Sequence, residues 1–195
     1  VVARAVGGYS DSVSIWQAML PTTLVAIGMN GQTLPRAHGF PARLLVPGLY
    51  GMKQPKWLET IELVDRPHTG YWEQRGWWKA AVVRTMSRID TVVHRGGGLL
   101  VAGVAFGGDR GISRVEVSTD GGVTWHEAEL RTPLSRFTWR LWRFPFEPSE
   151  EGPVEVLARA TDGEGHLQVM QVAPPHPSGA TGYDSIAVEG ARPPS

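Results

Sequence analysis

Residues 112–130 read ISRVEVSTDGGVTWHEAEL, and this stretch decides the fold. Across 112–119 the side chains alternate, with Val115 and Val117 on one face and Arg114, Glu116 and Ser118 on the other. A period of two marks a strand with one face against a core. Asp120-Gly121-Gly122 supplies a hairpin turn, and residues 123–130 return as the partner. Working outward, residues 99–106 form an apolar run bounded by Gly107-Gly108, short enough for a buried strand. Residues 137–146 and 154–160 read as further strands, and Asp162-Gly163 turns the chain into 167–172. Short strands at this spacing, punctuated by glycine and proline, predict a β-sandwich. The tail from Pro174 onward is expected as coil laid over a surface.

Upstream the pattern changes. Residues 31–56, GQTLPRAHGFPARLLVPGLYGMKQPK, are broken by Pro35, Pro41, Pro47 and Pro55 and by Gly31, Gly39, Gly48 and Gly51. Each proline fixes φ and removes a backbone donor, while the glycines allow turns that other residues resist. A rigid wrapped loop around one brief strand at 44–46 is the expectation. Arg36, His38, Arg43, Lys53 and Lys56 ride on it. Cations on a stiffened backbone suit an oxyanion, since arginine offers a planar fork and lysine a point charge. A lone histidine in such a loop is more often structural, but His38 lies five residues before Arg43, and Lys56 closes the same loop. The cluster points to a phosphate or pyrophosphate site.

Around the loop, residues 14–20 (SIWQAML) predict one or two helical turns. Residues 24–29 predict a strand ended by the Asn30-Gly31 turn. In residues 57–64, Leu58, Ile61 and Leu63 are placed to face a core. Residues 65–79 are aromatic, polar and aperiodic, as functional loops often are. A boundary is expected at 87–95, ahead of Gly96-Gly97-Gly98. Trp125, Trp139 and Trp142 read as core filling of the sandwich, while Trp72, Trp77 and Trp78 divide between packing and lining a substrate funnel. The run at 147–151 reads as a solvated acidic turn.

Composition excludes several classes. Basic and acidic residues balance at 19 each, which argues against nucleic acid as a partner. The chain has no cysteine, so disulfides and thiolate metal sites are ruled out and the redox compartment is left open. His68, His94, His126, His166 and His176 lack metal-ligand spacing, so no metal is assigned to them. The longest apolar run falls far short of the roughly 20 residues of a membrane helix. The opening VVARAVGGYSDS has no signal-peptide order and reads as cut from a longer sequence.

Against this reading, the run MNGQTLPRAHGFPARLLVPGLYGMKQPKWL resembles the molybdopterin-binding segment of the sulfite oxidase family. ISRVEVSTDGGVTW, WRLW and PPHPSGATGY are similar to that family's immunoglobulin-like dimerisation domain. The likeness extends from about Gly8 to Val188. It implies that His38, Arg43, Gln54, Pro55 and Lys56 contact the phosphate and pterin parts of a molybdenum cofactor. It also implies a homodimer formed through the immunoglobulin-like half and a haem domain or cytochrome as electron acceptor. Three departures accompany it. The family's molybdenum-ligating cysteine lies N-terminal to everything present here, and no residue of this chain supplies a soft thiolate. Trp77 stands where the family has an active-site tyrosine, and indole only donates. The family's C-terminal arginine is not found around residues 178–182. The last two changes remove groups that the family uses on sulfite, so the substrate is left open.

The expected fold class is therefore mainly β: an immunoglobulin-like sandwich over 91–195, preceded over 1–90 by an incomplete α+β sulfite-oxidase-type molybdopterin-binding domain. The expected function is that of the C-terminal part of a molybdopterin-dependent oxidoreductase. This chain alone should be inactive and cofactor-free without the missing N-terminal half of the cofactor domain. The alternative is a non-catalytic immunoglobulin-like interaction module. An extracytoplasmic or membrane-anchored parent is compatible with either.

Overall fold

The computed structural model describes residues 1–95, 98–148 and 152–190. The chain divides into two compact units, Val1–Val83 with Pro175–Gly179, and Arg84–Pro174 with Ala180–Ser195. The division at residue 90 expected from sequence falls inside a strand of the second unit, Met86–Arg95.

In the first unit, β1 (Val2–Ala5) pairs antiparallel with both β2 (Ser10–Ser12) and β7 (Leu58–Glu62). Between them run α1 (Ile15–Ala18), β3 (Leu24–Ala26), β4 (Gly28–Met29), β5 (Gln32–Thr33) and β6 (Arg43–Leu45). The single turn of α1 exists because Ser14 and Gln17 form a capping box: Ser14 Oγ accepts the Gln17 amide while Gln17 Oε1 accepts the Ser14 amide. The strand expected over 24–29 is interrupted at Ile27, and β4 folds back on β5 through Asn30 (φ 53°) and Gly31 (φ 75°). Ala3, Val13, Leu44, Val46 and Leu49 are the core, with Leu58 packed against it. Ile61 and Leu63 do not join it. They lie 49% and 78% exposed, Ile61 on the edge strand β7 and Leu63 just past its end.

The second unit is the sandwich. One sheet has the order β11 (His126–Glu127), β10 (Ile112–Ser118), β14 (Gly152–Asp162), β15 (Asp184–Gly190). The other has the order β12 (Glu129–Leu130), β13 (Arg140–Phe146), β9 (Gly98–Phe106), β8 (Met86–Arg95). Its core is Leu99, Val101, Val115, Val117, Trp142, Val156 and their neighbours. The hairpin return does not stay in one sheet. His126 and Glu127 pair with β10, Ala128 is buried, and Glu129 and Leu130 pair with β13. Two residues on each side of Ala128 thus serve different sheets.

Ser118 also departs from its place on the polar face. It is buried because its hydroxyl accepts the Gly122 amide at 2.8 Å and donates to Asp120 at 2.7 Å. Asp120 accepts in turn from the Thr124 hydroxyl and the Thr124 and Val123 amides, which hold its carboxyl well below the usual carboxylate range. Residues 167–172 make only the bridge Leu167–Thr161, since Gln168 spends its side chain on the Ala160 amide, Ser87 and the Gly182 carbonyl. The tail is not coil throughout: Asp184–Gly190 is the edge strand beside β14, and Pro175–Gly179 belongs to the first unit. Of the tryptophans expected in this core, Trp142 is buried, Trp125 is half-buried, and Trp139 is 49% exposed just before β13. Gly96-Gly97 and residues 149–151 of the acidic run lie outside the described residues.

Candidate cofactor-binding site

Residues 36–38 form one short helical turn after Pro35, ended by Gly39 at φ 117°. A turn this short leaves its carbonyls short of donors, only Arg36 O receiving a backbone amide, that of Gly39 at 3.1 Å, so side chains must complete them. Three side chains do so in succession: Trp57 Nε1 donates to Arg36 O at 2.8 Å, Lys56 Nζ to Ala37 O at 2.8 Å, and Arg43 Nη1 to His38 O at 3.3 Å. Position 39 favours glycine, because φ 117° is strained for other residues and a Cβ there would stand a tight 3.1 Å from the Cβ atoms of both Arg43 and Lys56. His38, Arg43 and Lys56, far apart in the sequence of the loop, are thereby collected around one turn.

Arg43 carries an unanswered group. Its Nε–H is buried without an acceptor, which costs about 1–3 kcal/mol unless a ligand supplies one. An anionic oxygen on the guanidinium edge would satisfy it. Gln54 and Pro55 contribute differently: the Gln54 amide donates to Leu49 O at 2.7 Å, and the buried Pro55 carbonyl accepts the Leu44 amide at 3.0 Å. Both bonds tie one part of the loop to another.

Lys53 does not join the oxyanion cluster. Its side chain is 2% exposed, with Nζ bound to Asp11 Oδ1 at 2.6 Å, to the Ser12 carbonyl at 3.1 Å and to Glu73 Oε1. Gly70 closes the site, its amide donating to Glu73 Oε2 at 3.2 Å and any Cβ falling about 2.5 Å from the Asp11 carboxylate carbon. One cation faces two carboxylates, and Asp11 Oδ2 has no partner. Burial pushes the Asp11 carboxyl up, against the lowering pull of Lys53. Tyr9, which donates to Met52 O, is likewise pushed up by burial and then by the charges of Asp11 and Glu73. No local signal marks this cluster in the sequence, since its members come from three distant segments.

Trp77 is half-buried in a run of rings. It meets Trp72 edge-on at 6.0 Å and His176 at 5.3 Å; Trp72 meets Tyr71 at 5.2 Å, and Tyr71 meets Tyr9 at 5.5 Å. Trp77 is thus held by packing on two sides. Among the described residues, no group of three or more His, Cys, Asp or Glu side chains could hold a metal. No helix among them is long and apolar enough to cross a membrane.

Two family models match the chain: the oxidoreductase molybdopterin binding domain over residues 1–72 and the Mo-co oxidoreductase dimerisation domain over 78–174. The chain belongs to the sulfite oxidase family of molybdopterin oxidoreductases. Mitochondrial sulfite oxidase of Mus musculus is 32% identical over 85% of this chain, and sulfite oxidase of Arabidopsis thaliana 29% over 85%. The nitrate reductase of Ulva prolifera is 29% identical over 83% of this chain. The chain spans only 36% of the mouse relative, 51% of the plant one and 23% of the algal one. Sulfane dehydrogenase SoxCD from Paracoccus pantotrophus shares the fold, with a TM-score of 0.78 at 22% identity over 97% of this chain and 54% of that one. The cation loop falls within the stretch matched by the family's cofactor-binding domain, and strands β8 to β14 of the sandwich within that matched by its dimerisation domain, with β15 lying beyond it.

Proposed function

We propose that this chain is the C-terminal part of a molybdopterin-dependent oxidoreductase and that His38, Arg43 and Lys56 hold the anionic and pterin edges of its cofactor. The observation that carries this reading is the buried, unanswered Arg43 Nε, with Arg43 and Lys56 both drawn to the turn that carries His38. When bound, the molybdenum cofactor supplies two-electron or oxygen-atom chemistry. This chain's residues orient it and balance its charge. The thiolate that ligates the metal comes from a segment outside this chain, which has no cysteine. Trp77 stands where the family resemblance implies an active-site tyrosine: indole donates one hydrogen bond and does not ionise, so it moves no proton.

Two partners belong to the same reading. The N-terminal half of the cofactor domain covers exposed apolar side chains of the first unit, among them Trp16 at 82% exposure, Met19, Ile27 and Leu63. The sandwich pairs with a second copy as a closed two-fold dimer, and a haem domain or cytochrome takes the electrons.

In the full-length protein, Arg43→Ala and His38→Ala should each deplete bound pterin. Loss of one charge-assisted partner to phosphate costs about 1.5–3 kcal/mol, roughly a tenfold to hundredfold fall in affinity. Pterin released on denaturation, measured by fluorescence after oxidation, gives the result. Wild-type content in both variants would remove the assignment.

A further inference from the structure

The first unit has a concave site away from the turn at residues 36–38. A pocket of about 430 Å³ opens beside β2 and the segment around residue 66, and none of His38, Arg43, Gln54, Pro55 or Lys56 lines it. Val13, Leu49, Val64 and Val82 form an apolar wall, while Arg66 and Lys79 stand on its lining with His68 between them in sequence. No aspartate or glutamate is among its lining residues.

The charges of these cations are available. Arg66 makes no hydrogen bond or ion pair with the described residues, so its guanidinium fork is open. Lys79 Nζ donates only to the His68 carbonyl at 3.2 Å, leaving two of its three donors for a ligand. His68 is partly engaged, with Nε2 3.1 Å from Ser10 Oγ. Lys53, also on the lining, adds no net positive field because Asp11 and Glu73 answer it. The pocket therefore combines an apolar wall with two cations that have no ion-pair partner among the described residues. Its volume suits a compact organic ligand, since small-molecule sites run to about 300–1,000 Å³ with a few placed polar groups on apolar walls.

We propose that this pocket binds a small organic anion, a sulfonate or carboxylate, with its charged end on Arg66 and Lys79 and its apolar body against Val13, Leu49, Val64 and Val82. Inorganic oxyanions match the cations but leave the apolar wall unused. Neutral aromatics match the wall but leave both cations bare.

The proposal is independent of the cofactor reading, and one experiment separates them. Benzenesulfonate and benzyl alcohol are titrated into the chain, with binding read from amide shifts in NMR spectra. Benzenesulfonate should shift the amides of Val13, Val64 and Lys79, and benzyl alcohol should bind at least about tenfold more weakly, having no charge for the two cations. The double variant Arg66→Ala/Lys79→Ala should lose about tenfold or more in benzenesulfonate affinity, while His38→Ala/Arg43→Ala leaves it unchanged. Arg66 and Lys79 are both exposed, so the first variant is expected to fold, and an unchanged spectrum away from the pocket checks this. Equal affinity for the two probes, full affinity in Arg66→Ala/Lys79→Ala, or loss confined to His38→Ala/Arg43→Ala would each overturn the proposal.

Discussion

Lys53→Met should destabilise the chain by about 3–5 kcal/mol, the usual cost of removing one partner from a buried ion pair. The substitution keeps the length of the side chain and deletes the charge. Asp11 and Glu73 would then share a dry site with no cation, and Asp11 Oδ2 already lacks a partner. Urea denaturation gives the measurement, and a loss below about 1 kcal/mol would show that the cluster is far more hydrated than its burial indicates.

Asp11→Asn provides the contrasting case. The amide oxygen still accepts from Ser12 and Lys53, so the cost should be several-fold smaller than for Lys53→Met. The pH dependence follows from the raised Asp11 carboxyl. Below the ordinary carboxylate range both folded and unfolded chains hold this proton. As pH rises, the unfolded chain releases it first, and the folded chain must later give it up at a cost. The contribution of Asp11 to stability is therefore fully present at low pH and lost as pH rises through its raised folded value. Asp11→Asn should remove that decline from a stability–pH curve.

Trp142→Ala should cost a further about 3–5 kcal/mol in the second unit, because a large ring leaves a void that packed strands cannot close. Trp142 is 2% exposed and lies at the centre of the sandwich core beside Gly103, where a Cβ would stand 2.9 Å from the indole and 1.9 Å from the Arg88 carbonyl. Its Nε1–H has no acceptor. Trp142→Phe should accordingly cost much less than the alanine variant, since it keeps most of the ring and removes an unsatisfied donor. Trp139→Ala should cost about 1 kcal/mol or less, as the ring is half in solvent and touches mainly Phe106 and Arg88. Thermal denaturation of the three variants ranks them. Equal losses for Trp139→Ala and Trp142→Ala would contradict the burial difference.

The residues that were legible from sequence share one property: their signals are local. Val115 and Val117 alternate with polar neighbours within a single strand, and Asp120-Gly121-Gly122 can only turn. The prolines and glycines of residues 31–56 restrict the backbone wherever that segment lies, and two of its cations, Arg43 and Lys56, do meet at the turn that carries His38. Alternation also has a limit. It assigned Ser118 to the outer face because a hydroxyl is polar, whereas a hydroxyl that answers its own turn can be buried without cost.

Sequence by itself thus determined the sandwich, the turn at residues 120–122 and the cationic loop, since period, turn chemistry and proline placement act within a few residues. Tertiary structure alone decided which cations remain free. Lys53 and Lys56 are three residues apart on the same loop, yet one is spent on Asp11 and Glu73 and the other faces the turn at residues 36–38. It also decided that residues 126–130 serve two sheets, that Asp184–Gly190 completes one of them, and that Pro175–Gly179 returns to the first unit. The physical reason is the same in each case. An ion pair or a sheet edge is completed by whichever group the fold brings near, and a sequence states what a side chain can bind without stating what will stand beside it.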